Sequence, residues 1–139
     1  MNETVREGGC LCGAVRYQVT GPPLWVAHCH CQSCRRHTGT AMATYAGFPT
    51  SHFSITAGTP VRRQSSPNVW RRHCGDCGSP LTYEAHRFGD EVHVFLGTLD
   101  EPARLVPQFH VFTEEAVPWL RIDDALPRYR RTSREDKTA

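Results

Sequence analysis

Seven cysteines fall into three groups along the chain: Cys10-x-Cys12, Cys29-x-Cys31-x-x-Cys34 and Cys74-x-x-Cys77. The chemistry such spacing serves is metal ligation. Zn²⁺ takes thiolates in tetrahedral geometry, and cysteines two or three positions apart can place both sulfurs on one ion. The two outer pairs, brought together from distant parts of the chain, would complete a closed site of four thiolates. Both carry glycines: Gly8-Gly9 before Cys10, Gly13 after Cys12, and Gly75 and Gly78 around Cys77. Glycine permits the positive-φ turns that aim backbone N–H groups at sulfur. Those donors offset part of the charge of four thiolates. The other reading of these four residues is buried free thiols.

The middle group supplies three thiolates from six consecutive positions at the start of an expected helix. A helix N-terminus favours the thiolate. Three protein ligands leave one tetrahedral position open, the pattern of a catalytic zinc. Two further readings stay open here: a second closed site completed by a distant His or Asp, and a redox disulfide between Cys31 and Cys34. His28 and His30 flank the group, although sequence neighbours of a ligand often point away from the metal.

The elements that must position these residues read as short strands. Residues 14–20 alternate, with Val15, Tyr17 and Val19 on one face, and Gly21-Pro22-Pro23 ends them. Residues 41–46 and 52–56 are two more strands, separated at Gly47 and Pro49. Segments 61–65 and 69–73 can pair across Ser66-Pro67-Asn68, and Leu81–Glu84 follows the last cysteine pair. Val92, Val94 and Leu96 alternate in a strand over Glu91–Leu96, and Phe109–Phe112 forms a weaker one. The helix is Gln32–Thr38, closed by Gly39. Trp25, Trp70 and Trp119 read as core aromatics, and His93 and His110 as structural residues.

The chain has 139 residues, one domain's worth, with 39% hydrophobic residues, 11 glycines and 10 prolines, which suits a turn-rich β architecture. A net charge of +2 gives polyanions little to bind. The opening MNETVREGG has no apolar signal core, and no apolar run approaches the roughly 20 residues that span a bilayer. A cytoplasmic location is therefore expected. Thiols stay reduced there, so cysteine clusters serve metals rather than disulfides. We expect one domain over residues 1–130 and a polar, disordered tail over 131–139.

The strings GGCLCGAVRY (8–17), HCHCQSCRRHTG (28–39) and HCGDCGSPLTY (73–83) resemble the glutathione-dependent formaldehyde-activating enzyme family, whose domain is shared with centromere protein V. The likeness continues through FSITAG, VFLGTLD and VPWLRIDDALPRY. It implies an all-β fold of several coiled antiparallel sheets (a β-tent) stapled by zinc, with at most one or two short helices. Carried over by residue, Cys10, Cys12, Cys74 and Cys77 would hold a structural zinc. Cys29, Cys31 and Cys34 would hold a second, catalytic zinc. His73 departs from the pattern, which has an aromatic residue there.

The activity implied is carbon–sulfur lyase chemistry, the reversible joining of glutathione to formaldehyde as S-hydroxymethylglutathione. A small thiol and a small aldehyde are then the partners; a membrane or nucleic acid is not expected. By proximity, His28, His30 and Arg35 are the candidates to meet the developing alkoxide. Arg35-Arg36 could instead take a substrate carboxylate. The competing function is a non-catalytic zinc module that docks protein or nucleic acid through arginines such as Arg62-Arg63, Arg71-Arg72 and Arg128–Arg131.

Overall fold

A computed structural model describes residues 4–133. Its elements are mostly strands, with one α-helix among the described residues. In chain order they are β1 Val5–Gly9, β2 Arg16–Thr20, β3 Trp25–Cys29, α1 Gln32–Thr38, β4 Ala43–Pro49, β5 Phe53–Ala57, β6 Val61–Ser66, β7 Val69–His73, β8 Pro80–Ala85, β9 Glu91–Phe95 and β10 Phe109–Val111. The expected all-β architecture is present. Contacts divide the chain into two units: one takes the chain up to Trp25 and Ala46–Leu105, the other Val26–Tyr45 and the chain from Val106 on.

In the first unit, β1, β2 and β5 form an antiparallel sheet with β2 central. Val15, Tyr17 and Val19 are buried on one face, as their alternation requires. Each such side chain contributes roughly 1.5–3 kcal/mol by leaving water. Strands β6 to β9 follow as an antiparallel meander. Its first hairpin turns where expected, with Asn68 in the left-handed region at φ 63°. Strand β6 is exposed along its whole length and carries Arg62 and Arg63, charges that keep an edge strand from pairing further.

Strand β4 runs through Gly47 to Pro49, where the sequence suggested a break. The glycine is not a turn there. A Cβ at Gly47 would lie 2.5 Å from the Trp25 indole, so the strand needs a residue without a side chain at that crossing. Trp119 is 73% exposed, which corrects its reading as a core aromatic.

In the second unit the strand order is β10-β3-β4. Strands β10 and β3 run parallel, with His110 opposite His28 and Val111 opposite Cys29. This parallel pair departs from the antiparallel pattern, because a crossover of about eighty residues returns the chain in the same direction. Helix α1 follows β3 after two residues. It stops at Gly39, which has φ 73° and donates its N–H to the Arg35 carbonyl. Of the polar tail, the Arg131 carbonyl accepts from the Phe112 N–H and Thr132 is buried. Residues 134–139 lie outside the described residues. No described helix is long and apolar enough to cross a membrane.

Candidate metal centres

Cys10 and Cys12 lie on the turn after β1, and Cys74 and Cys77 on the turn between β7 and β8. Their four sulfurs lie within 4.8 Å of one another. The Cys10–Cys12 separation is 3.7 Å and the Cys12–Cys74 separation 3.8 Å. Backbone donors point at the sulfurs, as the glycines suggested. Val15 N–H reaches Cys10 Sγ at 3.2 Å, and the N–H groups of Asp76 and Cys77 reach Cys74 Sγ at 3.4 Å. The Ser79 hydroxyl lies 3.2 Å from Cys77 Sγ and holds that thiol down, to about 5. Cys10, Cys74, Val15 and Leu81 form a buried cluster, with Ile55 and Cys77 packed against it.

The second group lies wholly in the other unit. Cys29 ends β3, Cys31 caps α1, and Cys34 sits in its first turn. The Cys31 sulfur accepts the Cys34 N–H at 3.2 Å, so the ligand is also the helix cap. Cys34 Sγ lies 3.2 Å from Cys29 Sγ and 3.4 Å from the Tyr45 hydroxyl. Glu115 accepts from Gln32 N–H at 2.9 Å and so satisfies a donor at the start of the helix. Among the described residues no fourth Cys, His, Asp or Glu joins this group.

Three crowded thiols cannot easily ionise together. The Cys31 and Cys34 thiols, and then burial, push Cys29 well up. Contact with Cys29 lowers Cys34, but Cys31 and burial outweigh it and carry Cys34 up to about 11. A divalent cation bound by such a donor set would displace these protons. None of the seven cysteines is in a disulfide.

His28 and His30 do not join the cysteines. Side chains alternate along extended backbone, and both rings meet His110 instead. His28 lies over His110 with centroids 4.8 Å apart, and His30 Nε2 is 2.9 Å from His110 Nδ1. His110 Nε2 faces Asp124 Oδ2 at 3.0 Å. His110, and then a backbone N–H and Arg128, hold Asp124 down to about 2. Burial, and then the charge of His110, lower His30 to about 4.

This grouping escaped the sequence reading, which took His110 as merely structural and did not single out Asp124. The parallel β10–β3 register brings His110 to His28, and the chain beyond β10 returns Asp124 to His110. Arg35 stays near the cysteines on α1, its Nε buried without a partner among the described residues. Arg36 is exposed.

The arginines outside α1 are largely engaged. Arg72 Nη1 reaches Glu84 at 2.8 Å, Arg128 Nη1 reaches Asp124 at 2.9 Å, and Arg130 and Arg131 share Glu114. Arg71 is buried, with its guanidinium over the Tyr83 ring.

A family model described as "Glutathione-dependent formaldehyde-activating enzyme" matches residues 5–115. A protein of Halomonas elongata named "Putative glutathione-dependent formaldehyde-activating enzyme" is 29% identical over 128 residues, covering 84% of this chain and 80% of its own length. The crystal structure of a Rhodobacter sphaeroides protein matches in fold with a TM-score of 0.59 and 24% identity, over 73% of this chain and 97% of that one.

Proposed function

The chain belongs to the glutathione-dependent formaldehyde-activating enzyme family, and on that footing we propose that it is a zinc-dependent carbon–sulfur lyase. It acts on a thiol adduct, reversibly joining glutathione, or a related small thiol, to formaldehyde. The observation that carries the reading is the trio Cys29, Cys31 and Cys34, joined by no fourth described Cys, His, Asp or Glu. A closed structural site would need one. The domain's other likeness, a docking module, would need free basic surface, whereas several of its arginines are paired with carboxylates.

Both donor sets are of the thiolate type that zinc takes, and the four-thiol set also has its spacing. A tetrahedral site with metal–sulfur bonds of about 2.3 Å has sulfurs about 3.8 Å apart, which the separations among Cys10, Cys12 and Cys74 approach. Cys10, Cys12, Cys74 and Cys77 would hold the structural ion, and Cys29, Cys31 and Cys34 the catalytic one. When bound, zinc supplies the acidity that deprotonates an incoming thiol at neutral pH.

The chain's own residues do the rest. In the forward direction the thiol sulfur bonds to the aldehyde carbon, the C=O π bond opens, and the thiol proton ends on the oxygen. The reverse reaction cleaves the same C–S bond and returns the proton to sulfur. Cys31 is partly exposed while Cys29 and Cys34 are buried, so the trio opens on the Cys31 side. The Tyr45 hydroxyl hydrogen-bonds Cys34 and fixes its sulfur. Arg35, beside Cys34 on α1 and only partly buried, is the candidate to take a carboxylate of a substrate such as glutathione. A reducing compartment, the cytoplasm, is part of the proposal, because only unoxidised thiols bind metal.

Cobalt substitution followed by glutathione titration tests the reading. Sulfur-to-cobalt bands that change on adding glutathione, together with adduct formation from formaldehyde that disappears in Cys31→Ser, are expected. Bands blind to glutathione, or full activity in a folded Cys31→Ser protein, would overturn it.

A further inference from the structure

His28, His110 and Asp124 offer three ligand atoms within 4.8 Å of one another, in a cluster that contains no cysteine. The contacts around them show which atoms are committed elsewhere. His28 Nδ1 is bonded to the Thr44 hydroxyl at 2.8 Å, which leaves its Nε2. His110 Nδ1 is bonded to His30 Nε2 at 2.9 Å, which again leaves Nε2. Asp124 Oδ1 accepts from the Leu126 N–H at 3.1 Å and from Arg128 Nη1 at 2.9 Å, which leaves Oδ2. Every member of the trio is therefore held by its far atom and presents its near one. That is the arrangement in which metal-ligating histidines and carboxylates are found, with outer partners that fix ring orientation and tautomer.

His110 Nε2 lies 3.0 Å from Asp124 Oδ2 and 3.3 Å from Oδ1, a hydrogen-bond spacing that an entering ion would have to widen only by a few tenths of an ångström. Zn–N and Zn–O bonds of about 2.0–2.2 Å separate neighbouring tetrahedral ligands by roughly 3.3 Å. Exposure is graded to match. His110 is 1% exposed, whereas the Asp124 side chain is 25% exposed and His28 is only partly buried, so the cluster opens to solvent on one side.

We infer that His28, His110 and Asp124 form a third metal site, of two imidazoles and one carboxylate, that takes a hydrated divalent transition ion such as Zn²⁺ or Co²⁺. Nitrogen and oxygen donors of this kind suit the borderline ions and not the soft ones. Arg128 on the same carboxylate reduces the negative charge offered to the ion and so moderates its affinity. Loading also fixes the rings. With the ion on His110 Nε2, the neutral ring carries its proton on Nδ1 and donates it to His30 Nε2. Without the ion, Nε2–H donates to Asp124 and His30 Nε2–H donates to His110 Nδ1.

The site shares no ligand with the cysteine groups, so its test does not depend on the thiol-adduct reading. Protein whose cysteine sites are first filled with zinc is titrated with Co²⁺. We expect one further equivalent, seen as a visible ligand-field band without sulfur charge-transfer intensity. His28→Gln and Asp124→Asn should each weaken it at least tenfold, and Thr44→Val about tenfold. ¹⁵N shifts should show the His110 proton moving from Nε2 to Nδ1 on adding Zn²⁺. The cysteine sites, reloaded with cobalt, report through their own sulfur bands whether each variant has folded. No additional equivalent, a band unchanged in both folded ligand variants, or a His110 that keeps its Nε2–H with Zn²⁺ present would overturn the site in favour of a plain His110–Asp124 hydrogen bond.

Discussion

His28 and Cys29 are adjacent in the chain and belong to different clusters: the His28 ring lies over His110 with Nδ1 on Thr44, while the Cys29 sulfur meets Cys34. Strand alternation separates them. The two clusters should therefore respond independently to substitution. Cys29→Ser should lower the sulfur-to-cobalt intensity, and Thr44→Val should leave it unchanged, as absorption spectra of the two loaded variants will show.

Thiol reactivity in briefly chelated protein should follow the local environment and not the cysteine count. Cys77 is held down to about 5, first by the Ser79 hydroxyl, whereas Cys34 is carried up to about 11. At pH 6.5 the first is thiolate and the second thiol, and only thiolate reacts. Iodoacetamide followed by peptide mass spectrometry should find Cys77 alkylated well before Cys34.

Gly58→Ala should destabilise the protein on the order of 3 kcal/mol, combining left-handed strain with overpacking. Gly58 has φ 75°, and a Cβ there would lie 2.1 Å from the Ala14 carbonyl oxygen. Ala14 precedes Val15, whose N–H serves Cys10 Sγ. A metal held by Cys10, Cys12, Cys74 and Cys77, as proposed, should thus be lost to chelators more readily as well, and urea denaturation with and without chelator will measure both effects.

Burial pushes the Tyr17 hydroxyl up to about 12 from an ordinary value near 10. The folded state thus keeps this proton longer than the unfolded state. The resulting stability is complete below pH 10 and is lost as pH rises from 10 towards 12. Tyr17→Phe should cost about 1 kcal/mol near pH 8 through the lost bond to Thr98, with that difference shrinking above pH 10. Urea midpoints of the two proteins between pH 8 and 11.5 will show it.

The cysteine groups were legible because ligand spacing is local: three of the seven lie within six positions, and glycines mark the turns of the other four. Helix α1 was legible for the same reason, with its start beside Cys31 and its stop at Gly39. The strand pattern of Tyr17 and Val19 held because period-two burial is written in neighbouring residues. Strands β1 and β3 went unread: β1 has one apolar residue, Val5, and β3 is a short, nearly continuous apolar run, so neither alternates. The cluster of His28, His110 and Asp124 could not be read at all. It depends on which strand β10 pairs with, and on that pairing being parallel, which no short window of sequence contains. Gly47 misled for a related reason: its partner, Trp25, is twenty-two residues away.

The two cysteine sites differ in one respect that bears on how the protein is made. Cys29, Cys31 and Cys34 are all present within a few residues of one another, while Cys12 and Cys74 are 62 positions apart. At synthesis rates of about 5–20 residues per second, the second pair follows the first by roughly 3–12 s. A nascent chain thus holds a complete three-thiol set early and half of the four-thiol set for seconds. The four-thiol site is the latch that closes last, and a scarcity of metal during translation would show first as chains left open there.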